Sequence, residues 1–263
     1  MKRLLTVLAL CAALLATGVE KLRIADATGG DGDAVTAILF GLAAERPGLE
    51  ISFRKLDAES ALEKLDAGDF DVVLVNGGDL PKKYRSAAFR YATKAYVAVV
   101  CIKNPLRNVS IKDLRLLVDV PRAQWELVGG SASTIHRYGV ADRDGKLVGA
   151  EMLKLDHRAR EIITFSTMNE AVLLAENDPA ALVWGPFVPE LPITVTALTV
   201  DGVAPTRANI RSGRYPLCVG HFAVSTGAPT EAAREFLKLL SSGEFAQLLE
   251  DDGELPELPE VGR

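Results

Sequence analysis

The chain has 263 residues, 48% hydrophobic and 25% charged, a globular balance that excludes low-complexity and collagen-like polymers. The formal net charge of −5 leaves no basic footprint, so nucleic acid is not expected as a partner. The length suits two small α/β lobes or one large domain.

Lys2-Arg3 is a positive start, Leu4 to Leu15 is an apolar run broken by Thr6, and Ala16-Thr17-Gly18 offers small residues where a signal peptidase reads. Residues 1–18 are therefore read as a cleaved secretory signal, short for a membrane span, with an uncleaved anchor as the competing reading. Leu10 stands before Cys11 where a lipoprotein needs a small residue, so a lipoprotein is rejected. Export places the protein in the periplasm or outside the cell.

Leu22 to Ala27 reads as a strand, Thr28 to Asp33 as a turn, and Val35, Ile38, Leu39 and Leu42 recur at helical spacing up to Pro47-Gly48. Leu49 to Leu56 is a second strand. Ser60-Ala-Leu-Glu63 is a capping box that opens a helix ending at Gly68. Asp71 to Val75 is a third strand, apolar enough to be covered on both faces. Strand–helix alternation at this pace predicts a parallel sheet, whose carboxyl-end loops are where ligands bind. Tyr96 to Ile102 is a long strand, Ser110 caps a helix over 111–118, and Gly129 to Thr134 precedes a further helix. Met168 to Asn177 is amphipathic, Ala180 to Trp184 is a buried strand, and Thr194 to Val200 is another. Pro229-Thr230 starts a helix, a last helix carries Phe245, Leu248 and Leu249, and the acidic segment after Gly253 is read as loose.

The stretch from Asp201 to Leu217, DGVAPTRANIRSGRYPL, organises the rest. Asp201-Gly202 makes a turn, Thr206 caps a short helix from Arg207 to Arg211, Gly213 stops it, and Leu217 to Val224 reads as a strand. This pattern resembles the late signature of the periplasmic phosphate-binding protein family and its shorter relatives, and the resemblance runs with gaps from about Leu22 to Leu258. It implies an α/β chain with the two-lobed type II periplasmic-binding-protein fold, mixed sheets flanked by helices, and two hinge-crossing strands. Lobe one would hold residues 19–95 and 222–258, lobe two residues 96–221, with a loose tail over 259–263. Cys101 and Cys218 fall in the two crossing strands, where a disulfide and two buried thiols are equally open.

The resemblance implies an exported protein that binds phosphate or a similar small oxyanion in a cleft between lobes. Its implied partner is the membrane component of an ABC transporter. The alternative is a degenerate, non-transport module of the same fold, used for protein–protein interaction or sensing. Candidate ligand-binding residues are Thr28, Gly29 and Gly30, an anion nest; Ser60; Asn76 and Asp79; and Ser131, Ala132 and Ser133, where the family has a Ser-Gly-Thr helix start. The family's upstream arginine is replaced by Leu127 and Val128, and Arg137 is the candidate substitute. Asp31, Glu59 and Glu63 oppose a dianion. No metal-ligand spacing, cofactor motif or Gly-x-Ser-x-Gly occurs, and Ser133 beside His136 lacks an orienting acid in sequence, so the chain is not read as an enzyme. Asp142-x-Asp144-Gly145 is read as a turn rather than a calcium loop.

Overall fold

The computed structural model describes residues 20–29, 33–46, 48–142, 144–155, 161–225, 227, 229–251 and 254–257. The expected signal peptide with Cys11, the candidate Gly30, the neighbouring Asp31 and the expected tail over 259–263 lie outside them. The chain divides into two compact units: unit 1 holds residues up to Phe89 and Phe222–Phe245, unit 2 holds Arg90–His221 and residues from Ala246 on.

The first elements are β1 (Glu20–Ala27), α1 (Asp33–Glu45), β2 (Leu49–Lys55), α2 (Ala58–Asp66) and β3 (Val72–Asn76). β1 lies between two parallel neighbours, with Glu20 opposite Leu49 and Asp26 opposite Lys55 on β2, and Ile24 opposite Val72 and Ala27 opposite Val75 on β3. Leu22 and Ile24, on one face of β1, are fully enclosed, and so are Val72 to Val75 of β3, as the unbroken apolar run of β3 requires. Val35, Ile38, Leu39 and Leu42 form the buried stripe of α1. Arg23 forks onto Asp71, with Nη2 2.9 Å from Oδ1 and Nε 3.1 Å from Oδ2, which ties β1 to the approach to β3.

The chain continues through β4 (Ala88–Cys101), β5 (Asn108–Val109), α3 (Ile111–Asp119), β6 (His136–Val140), β7 (Ile163–Phe165), α4 (Met168–Ala175), β8 (Ala181–Pro186), β9 (Val195–Ala197), β10 (Thr199–Val200) and α5 (Arg207–Arg211). In unit 2, β6 lies between parallel β7 and β8, while β4 runs antiparallel to β8. The sheet is therefore mixed. Trp125 and Trp184 anchor its core, and each satisfies its indole N–H on a carbonyl: Ala180 at 3.1 Å and Val148 at 2.7 Å. Tyr96 stacks on Trp184, and its ring would lie 2.4 Å from a Cβ at Gly149 (φ +68°), so only glycine fits there.

The organising stretch folds as its residues predict. Asp201 and Gly202 take positive φ in the turn, Thr206 Oγ1 accepts from Asn209 N at the start of α5, and Gly213 (φ +69°) ends it. Buried Tyr215 donates its hydroxyl to Tyr96 O at 3.0 Å, and Tyr96 N donates to Leu217 O at 2.9 Å, which fixes the stretch on β4. β11 (Cys218–Val224), α6 (Glu231–Leu239), α7 (Gly243–Asp251) and β12 (Glu254–Pro256) complete the chain. In unit 1, Arg46 bonds both Glu20 and Glu235, and Glu20 also accepts from Ala232 N at the start of α6.

Two local expectations are corrected. The residue that caps α2 is Asp57, whose carboxylate accepts from Ser60 N at 2.9 Å; Ser60 sits inside the first turn, because Asp57 is the stronger acceptor for the free amides. The segment after Gly253 is not loose at its start. Glu254–Pro256 pairs antiparallel with β4, and residues from Ala246 on group with unit 2, where the sequence reading placed residues up to Leu258 in lobe one. The cause is a charge contact that apolar patterning does not reveal: Glu254 lies opposite Lys94, 3.5 Å from its Nζ, and meets Nδ1 of buried His221 at 3.2 Å. Cys101 and Cys218 are free thiols, directed at the Glu176 and Tyr215 carbonyls.

Candidate functional site

In unit 1 the parallel strands end side by side. The register that sets Ala27 opposite Val75 makes the loops after β1 and β3 neighbours. Asp26, at the end of β1, is 3% exposed. Its Oδ1 accepts from Thr28 N at 2.9 Å and from Thr28 Oγ1 at 2.7 Å, an Asx turn that fixes the loop. Asn76 Nδ2 donates to Thr28 O at 2.8 Å, so the loop after β3 braces the loop after β1. Asn76 Oδ1 is enclosed and has no donor among the described residues. Gly29 follows with φ +70°, the left-handed backbone from which successive N–H groups converge on an anion. The loop after β2 is adjacent through Leu56 N, which donates to Asp26 O at 3.0 Å.

The structure thus brings Thr28, Gly29 and Asn76 together. It also spends some of the expected donors. Both Thr28 donors go to Asp26, and Ser60 turns its backbone N–H to Asp57, whose carboxyl is held below its ordinary range by the Ser60 backbone and side-chain bonds. Asp79 ends a short 3-10 turn over Gly77–Asp79 at the surface.

In unit 2 the expected serine site takes a different form. Ser131 and Ser133 lie at the surface with hydroxyls 2.9 Å apart, and Ala132 stands exposed between them. No helix follows them: the chain enters β6 at His136. The expectation of a helix start is overturned because Ile135 and Arg137 alternate inward around an outward His136, a period of two. Strand polarity also counts against these serines, since they precede β6 and ligand loops follow parallel strands. Arg137 is no anion clamp. Its side chain is 3% exposed and donates to Val118 O at 2.9 Å and Val120 O at 2.8 Å, with Glu161 at 3.1 Å. Burial pushes its pKa down against the opposing pull of Glu161. His136 Nδ1 lies 2.7 Å from Asp178 Oδ2.

The loop that does follow β6 went unnoticed as a site in the sequence. Asp142 Oδ1 accepts from Asp144 N at 2.9 Å and Lys146 N at 2.8 Å, so Asp142-x-Asp144-Gly145 is the turn its residues predict. The signal that could have found it is the direction of β6, readable only once 136–140 is taken as a strand. Next to it, β7 opens into Thr167, which caps α4 in a capping box with Glu170. Among the described residues no group of three or more His, Cys, Asp or Glu side chains could hold a metal ion.

This fold is the one found in solved solute-binding proteins. The structure matches a possible phosphate binding protein from Planctomyces limnophilus with a TM-score of 0.77 and 18% identity, over 92% of this chain and 95% of that one. It matches an ABC-type phosphate transport receptor from Vibrio cholerae with a TM-score of 0.65 and 15% identity, over 90% of this chain and all of that one. In sequence, the chain is 26% identical over 167 residues to phosphate-binding protein PstS of Bacillus subtilis (strain 168). That alignment takes in 62% of this chain and spans 56% of the relative's length. No protein-family model matches the sequence. At these identities the likeness to the solved structures shows the fold, and the alignment to the curated relative spans about half of that relative's length. Among the described residues no helix is long and apolar enough to cross a membrane.

Proposed function

We propose that the chain is an exported solute-binding protein for a small oxyanion of the phosphate type, serving the membrane component of an ABC transporter. The observation that carries this reading is the braced Thr28–Gly29 loop, held by Asp26 from below and Asn76 from the side, at the carboxyl end of a central parallel strand. A loop fixed before the ligand arrives loses little entropy on binding, so each N–H bond to an anion contributes more of its strength. Asn76 Oδ1 adds an enclosed acceptor, suited to an oxyanion that carries a proton. In unit 2 strand polarity favours the loop after β6, where Asp142 orders the backbone at Asp144 and Lys146, over Ser131 and Ser133.

A second reading has its own support. Thr28 and Ser60 turn donors toward Asp26 and Asp57, and carboxylates near an anion raise its cost. That arrangement favours a module of the same fold whose ligand function has lapsed. Thermal unfolding with phosphate, sulfate and small organic acids separates the two. A ligand at a hundredfold its dissociation constant adds about 2.7 kcal/mol of stability. A shift with phosphate supports the transport reading, and flat curves across the panel leave the lapsed module.

A further inference from the structure

Unit 1 has a polar cavity of about 350 Å³ that is lined by none of Thr28, Gly29 and Asn76. α2 packs on β1 and β3, and its Lys64 lines the cavity together with residues of β1 and β2. The register of those two strands sets Lys21 beside Glu50, Arg23 beside Ser52, and Ala25 beside Arg54. Leu56 and Phe70 supply an apolar wall beside these charges.

The charges around this wall are unevenly matched. Lys21 pairs with Glu50 at 3.2 Å, Lys64 with Asp69 at 3.6 Å, and Arg23 is committed to Asp71. Arg54 makes no ion pair or hydrogen bond among the described residues, and Ser52 beside it likewise has a hydroxyl without a partner there. The cavity therefore offers a planar five-donor cation, a hydroxyl and an apolar wall within one volume of ligand size.

We propose that this cavity is a binding site for a small carboxylate with an apolar body, such as an aromatic acid. The carboxylate takes both guanidinium arms of Arg54 and the Ser52 hydroxyl, and the ring lies on Leu56 and Phe70. The half-exposed Lys64 is the next cation in reach, because its pairing with Asp69 is long and solvated. This site is separate from the proposed oxyanion loop and does not depend on it.

The test is a titration of the full chain, isotopically labelled, with sodium benzoate, followed by amide and arginine side-chain NMR signals. Sodium acetate, which has the carboxylate without the ring, is the control. The expected result is saturable shifts at Arg54, Ser52 and Phe70 with benzoate, at a dissociation constant of about 1 mM or below. Acetate should bind at least about tenfold more weakly, which corresponds to 1.4 kcal/mol. Arg54→Gln should weaken benzoate about tenfold while leaving the melting temperature unchanged, since Arg54 is exposed and unpaired. Absence of saturation, equal response to acetate, or an unchanged titration in R54Q each overturns the proposal.

Discussion

Unit 1 and unit 2 each align parallel strands, but they use polar side chains differently where those strands end. In unit 1 a buried carboxylate and an amide, Asp26 and Asn76, are spent on shaping one loop. In unit 2 the polar groups of the corresponding sequence region hold the scaffold itself. Arg137 closes the end of α3 by taking up two carbonyls, and the serines ahead of it bond one another at the surface. Hydroxyls in a run do not make an anion site by themselves. The direction of the strand they adjoin decides whether they stand where a ligand can use them.

The sharpest way to break this contrast is Arg137→Ala. If Arg137 is structural, its removal takes a donor from both the Val118 and Val120 carbonyls, of which Val120 O keeps only Ala123 N at 3.3 Å, and should cost about 2–3 kcal/mol in urea unfolding. A variant of ordinary stability with lost ligand affinity would return Arg137 to the binding site. Next in size is the difference between the two candidate loops. Asn76→Ala should weaken phosphate binding by about tenfold in calorimetry, some 1.4 kcal/mol, whereas the double change Ser131→Ala, Ser133→Ala should alter it by less than about twofold.

A smaller effect is expected at the start of α2. Asp57→Ala should lower the melting temperature, and Ser60→Ala should lower it much less, because the cap acceptor is Asp57. The least is expected from acid at Glu254 of unit 2. Burial raises the pKa of Glu254, but His221 and Lys94 outweigh it, so the folded carboxyl titrates below its ordinary 4.5. The stabilisation is thus present above 4.5 and is lost as pH falls through the lower folded value. Melting temperatures taken from about pH 6 down to about pH 3 should show this loss, and Glu254→Gln should remove that part of it.

Most of the framework was legible in the sequence, because apolar period and caps act locally. Thr206, Ser110 and Thr230 each cap the helix their position predicts, and β1 and β3 lie where apolar runs place them. Of the candidate loops, those of unit 1 were legible, because the strand ends announce them. The segment after Trp125 misled for a physical reason. Ser-x-Ser before an ambiguous run fits a helix start and a strand entry equally, and the inward side chain that settles the choice is an arginine. Apolar patterning cannot read a buried cation. β12 escaped for a related reason, since its attachment depends on Glu254 finding Lys94 and His221 far away in sequence.

That attachment has a practical bearing on the end of the chain. Cutting ahead of Glu254 would strip the carboxylate from beside Lys94 and the buried His221 in a single stroke, and would also bare β4 over Ala92 to Lys94. A bared strand border recruits other chains. Shortened versions of this protein should therefore betray themselves by clumping during purification, well before any fault in ligand capture is noticed.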